Sequence, residues 1–167
     1  MFLDESRCNT DMTRRYAYSL GGSRAVDSAP LSKPKNTTIL SSIQLDGTLR
    51  YTTFSGGTTV ERFKRYLETD LLPHLNGNSV LIMDNMKSHH AKAVKNLLDS
   101  SGIRYIYLPP YSPDLNPIEK LWSKVKAFLR KFKARTLDAL PNAIQNAFHA
   151  VTVSDCSGWF RFCGYAL

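Results

Sequence analysis

The chain has 167 residues, of which 43% are hydrophobic and 11% aromatic, which is typical of a globular domain and excludes a disordered tail. Lys and Arg number 22 against 14 Asp and Glu, so the net charge is +8, the pI is about 9.5, and an anionic partner such as a nucleic acid is favoured. No apolar run reaches the roughly 18 residues of a membrane span and no signal-peptide pattern is present, so no membrane association is expected.

Antiparallel strands are predicted for the first third of the chain. A strand starts at residues 2–4, and residues 14–20 offer a second short strand before a Ser-, Gly- and Pro-rich loop at 21–35. Residues 39–45 and 49–54 flank an Asp-Gly pair, which is a strong hairpin signal because both residues tolerate positive φ. We therefore expect the sheet to begin with antiparallel pairs.

Helices and strands alternate in the middle of the chain. Residues 58–61 have the form of a capping box, and the amphipathic helix that they open ends at Pro73. Residues 79–83 predict a short apolar strand, residues 91–100 a helix, and residues 103–108 the next strand. Strands separated by helices indicate parallel pairing.

Two further helices are predicted near the C-terminus. Asn116 has the side chain of an N-cap for the third helix. The apolar stripe of that helix consists of Ile118, Leu121, Trp122, Val125, Leu129 and Phe132. A fourth helix is expected over residues 137–151, and the remaining tail is aromatic. Together these elements predict a single α/β domain over residues 1–167, with a central mixed five-stranded sheet, three antiparallel strands and then two parallel ones, flanked by helices.

The cysteines exclude two classes of small scaffold. Cys8, Cys156 and Cys163 are odd in number and form no C-x-x-C pair, which argues against a disulfide framework and against a structural zinc site. We expect all three to be small buried or neutral residues in a reducing compartment.

Three acids lie at the ends of predicted elements, where catalytic groups often lie in α/β sheets. Asp4 lies on the first strand, Asp84 just after the strand at 79–83, and Glu119 in the first turn of the third helix. Each also has a purely structural explanation. Asp4 can be a solvated edge residue, Asp84 can bond the backbone of its own turn, and Glu119 can hold the N-cap amide of its helix. The residue pattern alone leaves these alternatives open.

Basic side chains offer candidate contacts to a phosphate backbone. The basic face of the third helix consists of Lys120, Lys124, Lys126, Arg130, Lys131, Lys133 and Arg135. The candidate DNA contacts are Lys87, His89, Lys120, Lys124, Arg130 and Lys131. A solvated helix surface and an ordinary loop histidine are the simpler explanations, and no further Cys or His is spaced to make His89 a zinc ligand. A supporting position behind a metal ligand is the other role open to His89. Trp122 is expected in the core rather than as a platform for base stacking.

Several of these features are combined in a recognisable pattern. Residues 81–85, Leu-Ile-Met-Asp-Asn, with His89 after them, resemble the second-aspartate motif of the DDE superfamily endonucleases. Residues 108–122, which run from Leu-Pro-Pro-Tyr-Ser-Pro to Ile-Glu-Lys-Leu-Trp, resemble the third-acid motif of mariner-like bacterial insertion-sequence transposases. The 34 residues between the second aspartate and the glutamate match the spacing in those families. Residues 2–6 resemble the shorter first-aspartate motif, and residues 163–165 resemble the usual C-terminal end.

This resemblance implies an RNase H-like fold and a two-metal site. It makes Asp4, Asp84 and Glu119 the catalytic, metal-binding carboxylates, with two Mg²⁺ ions that Mn²⁺ can replace. The implied function is that of a transposase catalytic domain, which cleaves and transfers DNA strands at insertion-sequence ends. The implied partners are double-stranded DNA, as transposon ends and target, and further copies of the chain in a dimer or higher synaptic assembly, at the nucleoid in a bacterial cytoplasm.

The resemblance also raises the question of an N-terminal recognition region, and two other functions remain as alternatives. Full-length relatives carry an N-terminal helix-turn-helix region that recognises the element ends, and we expect it to be absent here because the chain begins inside the first catalytic strand. A related nuclease on the same fold, such as a ribonuclease H or a junction resolvase, is the rival enzyme. A non-catalytic DNA-binding remnant of a decayed transposase is the rival from another class.

Overall fold

Five strands form one mixed sheet in the computed structural model, which describes residues 1–14, 16–28, 30–31 and 34–165. The strands are β1 (Phe2–Cys8), β2 (Thr37–Ile43), β3 (Leu49–Ser55), β4 (Val80–Met83) and β5 (Arg104–Tyr107). Their order across the sheet is β3-β2-β1-β4-β5. Strand β2 is antiparallel to β1 and β3, whereas β1, β4 and β5 run parallel, which confirms the predicted sheet.

Helices cover both faces of the sheet. Those among the described residues are α1 (Val60–Tyr66), α2 (Lys92–Ser101), α3 (Ile118–Phe132), α4 (Ala139–His149) and α5 (Val153–Phe162). Helix α1 continues into a π-helical turn over Leu67–Leu71 and a 3-10 turn over Leu72–His74, where the chain leaves the helical direction at the predicted proline. Helices α1 and α2 pack on one face, and α3, α4 and α5 pack on the other. No helix in the described ranges has the length and apolar character that crossing a membrane requires.

The alternation of side chains along β1 connects the two cores. Phe2 packs among the residues of α3, α4 and α5, and Leu3 packs among those of α1 and α2. Because successive side chains of a strand point to opposite faces, Asp4 lies on the side of Phe2 and Glu5 on the side of Leu3. Two neighbouring carboxylates of one strand therefore have different surroundings.

The strand predicted at residues 14–20 is wrong. Arg14 and residues 16–20 adopt no strand, and Arg15 lies outside the described residues. The apolar side chains of this segment are exposed, with Tyr16 at 90% and Leu20 at 93%. The strand that precedes this segment, β1, pairs along its whole length with β2, so the segment cannot form a hairpin with β1 on that side. The predicted loop follows it, although Ala29, Ser32 and Lys33 also lie outside the described residues.

Other predicted boundaries shift by a few residues. Strand β2 begins at Thr37 and ends at Ile43, and the hairpin turn after it has Gly47 at φ +88°. The N-cap of α1 is Thr59 rather than Thr58, because the Thr59 hydroxyl accepts the backbone N–H of Arg62. Phe132, expected on the apolar stripe of α3, is 46% exposed at the last residue of that helix.

The C-terminal tail contains a helix that the sequence analysis did not predict. The fourth predicted helix ends at His149, and α5 follows it. A capping box opens α5, since the Thr152 hydroxyl accepts the N–H of Asp155 and the Asp155 carboxylate accepts the N–H of Thr152. The Thr-x-x-Asp pattern was the available signal. Cys8, Cys156 and Cys163 are free and buried, as predicted.

Candidate active site

A cleft of about 530 Å³ opens where β4 ends and α3 begins, and all three predicted acids line it. Asp4 comes from β1, Asp84 directly follows β4, and Glu119 lies in the first turn of α3. Leu3 of β1 pairs with Met83 of β4 in the parallel register, so Asp4, within β1, lies beside Asp84, which directly follows the end of β4. Residues 108–113 form the opposite wall. The sheet register thus brings together acids that are far apart in the sequence.

Asp4 is buried and held by three hydrogen-bond donors. It is only 6% exposed, its Oδ1 accepts the Glu5 N–H over 2.7 Å, and its Oδ2 accepts the Trp122 indole N–H over 3.2 Å. The Asn116 amide donates to the same Oδ2 over 3.4 Å. Burial raises the pKa of Asp4 to about 7, and the negative charges of Asp84 and Glu119 add to the rise against the hydrogen bonds from Glu5 and Trp122.

Asp84 is held by a histidine from the loop after β4. His89 Nδ1 lies 2.8 Å from Asp84 Oδ1, and the Met86 N–H donates to the same oxygen over 3.0 Å. Partial burial raises the pKa of Asp84, but the hydrogen bond and positive charge of His89 outweigh it and lower that pKa overall. Asp84 is therefore oriented by a local cation.

His89 is fully buried between two carboxylates. Its ring stacks on Phe63 of α1 with centroids 4.1 Å apart, and its Nε2 lies 3.4 Å from Glu5 Oε2, which is charge attraction rather than a well-formed hydrogen bond. Burial by itself lowers the pKa of His89, but Asp84 and Glu5 together raise it to about 9. The prediction that His89 contacts DNA does not agree with this burial, because a side chain with no exposed surface cannot reach a phosphate.

A second set of contacts fixes the loop that carries Asp84. The Asn85 amide donates to the Leu108 carbonyl over 2.6 Å, and its Oδ1 lies 2.7 Å from His90 Nε2. The His90 ring stacks on Tyr107 of β5 at 4.0 Å, and the Tyr107 hydroxyl donates to the His89 carbonyl over 2.9 Å. The end of β5 therefore holds the loop that follows β4.

Glu119 points into the cleft from an uncapped helix start. The Asn116 side chain is turned to Asp4, so it does not cap α3 as predicted, and α3 begins without a side-chain cap. The Asn116 backbone carbonyl still accepts the Glu119 N–H over 3.1 Å. The capping-box explanation of Glu119 therefore finds no support, and its exposed carboxylate is available to the cleft.

The donor chemistry of the cleft fits a hard divalent cation. The three acids offer oxygen ligands only, which Mg²⁺ prefers. In the described part of the chain no three His, Cys, Asp or Glu side chains converge closely enough to hold one metal ion. The charges of Asp84 and Glu119 nevertheless both act on Asp4, so the three carboxylates lie within electrostatic reach of one another.

The basic side chains predicted to contact DNA have different surroundings. Lys124 forms an ion pair with Asp155 of α5, and Lys120 Nζ lies 3.8 Å from the centre of the Phe162 ring. Lys87 and Lys131 are exposed, and Arg130 lines a second cleft. Trp122 lies in the core, as predicted, with 3% exposure.

Sequence reasoning missed the groups that hold the acids. Asn116 and Trp122 lie within the third-acid motif, so their signal was present, but a helix cap and a core position were the simpler interpretations. Glu5 stands next to Asp4 in the first motif, and no local pattern connects it to His89. Phe63 has no signal beyond its place on the apolar face of α1.

Comparison with known proteins identifies the family. Residues 1–141 match the family described as DDE superfamily endonuclease. The chain belongs to this family. Among curated relatives, this chain is 29% identical to the Transposable element Tc1 transposase of Caenorhabditis elegans over 97 residues. These residues are 56% of this chain and 36% of the relative. It is 31% identical to the Tcb2 transposase of Caenorhabditis briggsae over 75 residues, 45% of this chain and 28% of that one. The chain thus spans about a third of the length of these relatives.

Solved structures of Mos1 transposase share the fold. The Mos1 paired-end complex with left transposon end superposes with a TM-score of 0.80 at 19% identity, covering 96% of this chain and 50% of that chain. The isolated Mos1 mariner catalytic domain superposes with a TM-score of 0.66 at 16% identity, covering 96% of this chain and 75% of that chain. The RNase H-like fold that the motifs implied is confirmed.

Proposed function

We propose that this chain is the catalytic domain of a DNA transposase, which cleaves and transfers strands at insertion-sequence ends through Asp4, Asp84 and Glu119. The observation that carries the proposal is the delivery of these three carboxylates to one cleft by β1, by the end of β4 and by the first turn of α3. The family match and the likeness to Mos1 structures named as paired-end and strand transfer complexes support it.

Two divalent ions are the proposed cofactor, Mg²⁺ with Mn²⁺ as a substitute. The three carboxylates would hold them, and Mos1 structures named with Mg and with Mn support this choice. When bound, such ions activate the attacking oxygen and stabilise the leaving oxygen of an in-line phosphoryl displacement.

The protein groups around the acids position them for this chemistry. Trp122 and Asn116 fix the Asp4 carboxylate, and the buried His89 fixes Asp84. Since the attacking group is a water in the first reaction and a DNA 3′-hydroxyl in the second, no enzyme side chain is needed as a covalent nucleophile. The proline-rich segment at residues 108–113 lines the same cleft as the acids.

Duplex DNA and further copies of the chain are the proposed partners. The net charge of +8 and the likeness to a paired-end complex support a dimer or higher synaptic assembly on DNA. We further propose that the chain acts on nucleoid DNA in a bacterial cytoplasm, and its three free cysteines agree with a reducing compartment.

The test is metal-dependent cleavage and strand joining on duplex DNA that carries terminal inverted repeats. Asp4→Asn, Asp84→Asn and Glu119→Gln are each expected to reduce the reaction to background, because each removes one negative ligand. Asp138→Asn, at an exposed carboxyl before α4, is the matched control and is expected to retain the activity. Undiminished activity of Asp84→Asn would refute the assigned role.

The two alternative functions are distinguished by which nucleic acid the chain cuts and by whether it cuts at all. Preferential cutting of an RNA–DNA hybrid would indicate a ribonuclease H, and cutting of a four-way junction a resolvase. DNA binding without metal-dependent cutting in the unsubstituted chain would indicate a non-catalytic remnant.

A further inference from the structure

A second cleft, of about 390 Å³, lies between β1 and α3. Three cations line it, Arg7 from β1 and Lys126 and Arg130 from α3, and Asp11 is the one acid among its described lining residues. This cationic cleft is separate from the cleft of the three acids, with which it shares no lining residue. Its charge points to an anionic ligand.

Helix α3, which carries Glu119, leads directly to the cationic cleft. Arg7 lies three residues after Asp4 on β1, so its side chain leaves the strand on the opposite face of the sheet, where its guanidinium lies beside Gly57. Lys126 and Arg130 lie seven and eleven residues after Glu119 on α3, which places them on the same side of the helix at about 10 and 16 Å. Lys126 and Arg130 therefore continue the side of the sheet that carries the acids, whereas Arg7 borders the cleft from the other side.

The three cations of this cleft are not neutralised by carboxylates. Within the residues that the structure describes, Arg7, Lys126 and Arg130 take part in no ion pair, whereas Lys124 and Lys133 are each paired with an aspartate. The α3 basic face is thus divided into cations bound by other elements and cations that face the cleft. An unpaired cation in a concave site interacts strongly with a phosphate.

One wall of the cleft is held rigidly. Arg135 Nη1 donates to the carbonyls of Thr10 and Met12, both over 3.1 Å, and this fixes the segment that follows β1. Asn9, Asp11 and Thr13 of that segment line the cleft. Because the wall is already ordered, ligand binding costs little conformational entropy.

We infer that the cationic cleft binds the phosphate backbone of the DNA strand about three to five nucleotides from the phosphate that is cut. The spacing follows from the 10 to 16 Å between the acids and the cations and from about 3.4 Å of rise per nucleotide. The cleft aligns the strand across the acids. This inference rests on the proposed function, and it assigns the backbone contact to Lys126 and Arg130 instead of Lys120 and Lys124.

The experiment measures binding of a blunt DNA duplex between about 50 and 200 mM salt, with Ca²⁺ in place of Mg²⁺ to prevent cutting. Lys126→Ala/Arg130→Ala is expected to lower the affinity about tenfold and to reduce the slope of log affinity against log salt by about two. Arg7→Ala is expected to change the slope less than the double substitution does, because the Arg7 side chain leaves β1 on the opposite face. Lys92→Ala/Lys95→Ala on α2 removes the same charge from the other face of the sheet and is expected to leave the slope unchanged.

The outcomes separate this inference from the function on which it rests. If the unsubstituted chain does not bind duplex DNA, the proposed function fails. If it binds, but Lys126→Ala/Arg130→Ala keeps the original slope, the cationic cleft is refuted and the proposed function stands. Urea unfolding of each variant verifies that it folds.

An uncharged methylphosphonate in place of one DNA phosphate tests where the cationic cleft contacts the strand. On a duplex whose cut site has been mapped, a methylphosphonate about three to five nucleotides from the cut is expected to weaken binding by the unsubstituted chain. It should cause no further loss in Lys126→Ala/Arg130→Ala, because the contact is already absent. Equal losses in both proteins would refute the inference.

Discussion

The Trp122 indole N–H donates to Asp4 Oδ2 over 3.2 Å, although the two residues are 118 positions apart. The contact connects α3 to β1 in the core and supports a buried carboxylate that other acids repel. It is the shortest hydrogen bond that a side chain gives to Asp4. Asp4 therefore depends on α3 for its orientation.

Trp122→Phe removes this donor and keeps an aromatic ring. We expect a loss of about 1–3 kcal/mol in the free energy of unfolding, because a buried oxygen loses a partner. Urea unfolding measures it. Trp159→Phe makes the same change at a partly buried indole without a hydrogen bond among the described residues, and it is expected to cost less. Equal losses in the two variants would contradict the role of the donor.

His89→Gln removes the buried cation that holds Asp84. We expect weaker metal binding, by about 10- to 100-fold in the Mg²⁺ dissociation constant, since an outer partner that orients a ligand contributes about that much. Calorimetric titration of Mg²⁺ measures it. His149→Gln, at the exposed end of α4, is the control. An unchanged Mg²⁺ affinity in His89→Gln would show that Asp84 needs no such support.

The raised pKa of Asp4 predicts a pH-dependent stability in the metal-free protein. The folded pKa is about 7 against 3.8 for a free carboxyl, mainly because of burial. The stability that Asp4 contributes is fully present below the free-carboxyl pKa of 3.8, and it is lost as the pH rises through the folded pKa of about 7. Asp4→Asn should therefore have a flatter profile over this range. Urea unfolding in EDTA measures the free energy of unfolding at each pH, with Asp138→Asn as the control. Equal pH profiles for Asp4→Asn and the unsubstituted chain would refute the assignment.

Tyr111 stores backbone strain at the rim of the acid cleft. It has φ of +57° and its side chain is fully exposed, so its conformation has a cost that no packing of that side chain offsets. Tyr111→Asn is expected to stabilise the fold by about 0.5–1 kcal/mol, because asparagine tolerates this region. Urea unfolding compares this variant with Tyr18→Asn, which makes the same change at an equally exposed tyrosine without positive φ. A less stable Tyr111→Asn would contradict the strain.

Local patterns predicted the element order well, and they failed where a partner was required. The Asp-Gly hairpin and the apolar stripe of α3 are encoded within a few residues, so they could be read directly. Residues 14–20 alternate like a strand, but a strand needs a neighbour, and β1 had already paired with β2. Asn116 illustrates the opposite error, because its pattern matched a helix cap while its amide binds Asp4.

The sequence by itself determined the order of helices and strands, the family motifs and the three candidate acids. The spacing of apolar residues, the turn residues and the motif spacing are all properties of residues close together in the chain. Only the tertiary structure decided that His89 is buried, that Trp122 and Asn116 hold Asp4, and that Arg7 joins Lys126 in a second cleft. These relationships depend on the pairing of β1 with β4 and on the packing of α3 against β1. The physical reason is that hydrogen bonds and charge interactions act over a few ångströms of space, whatever the distance along the chain.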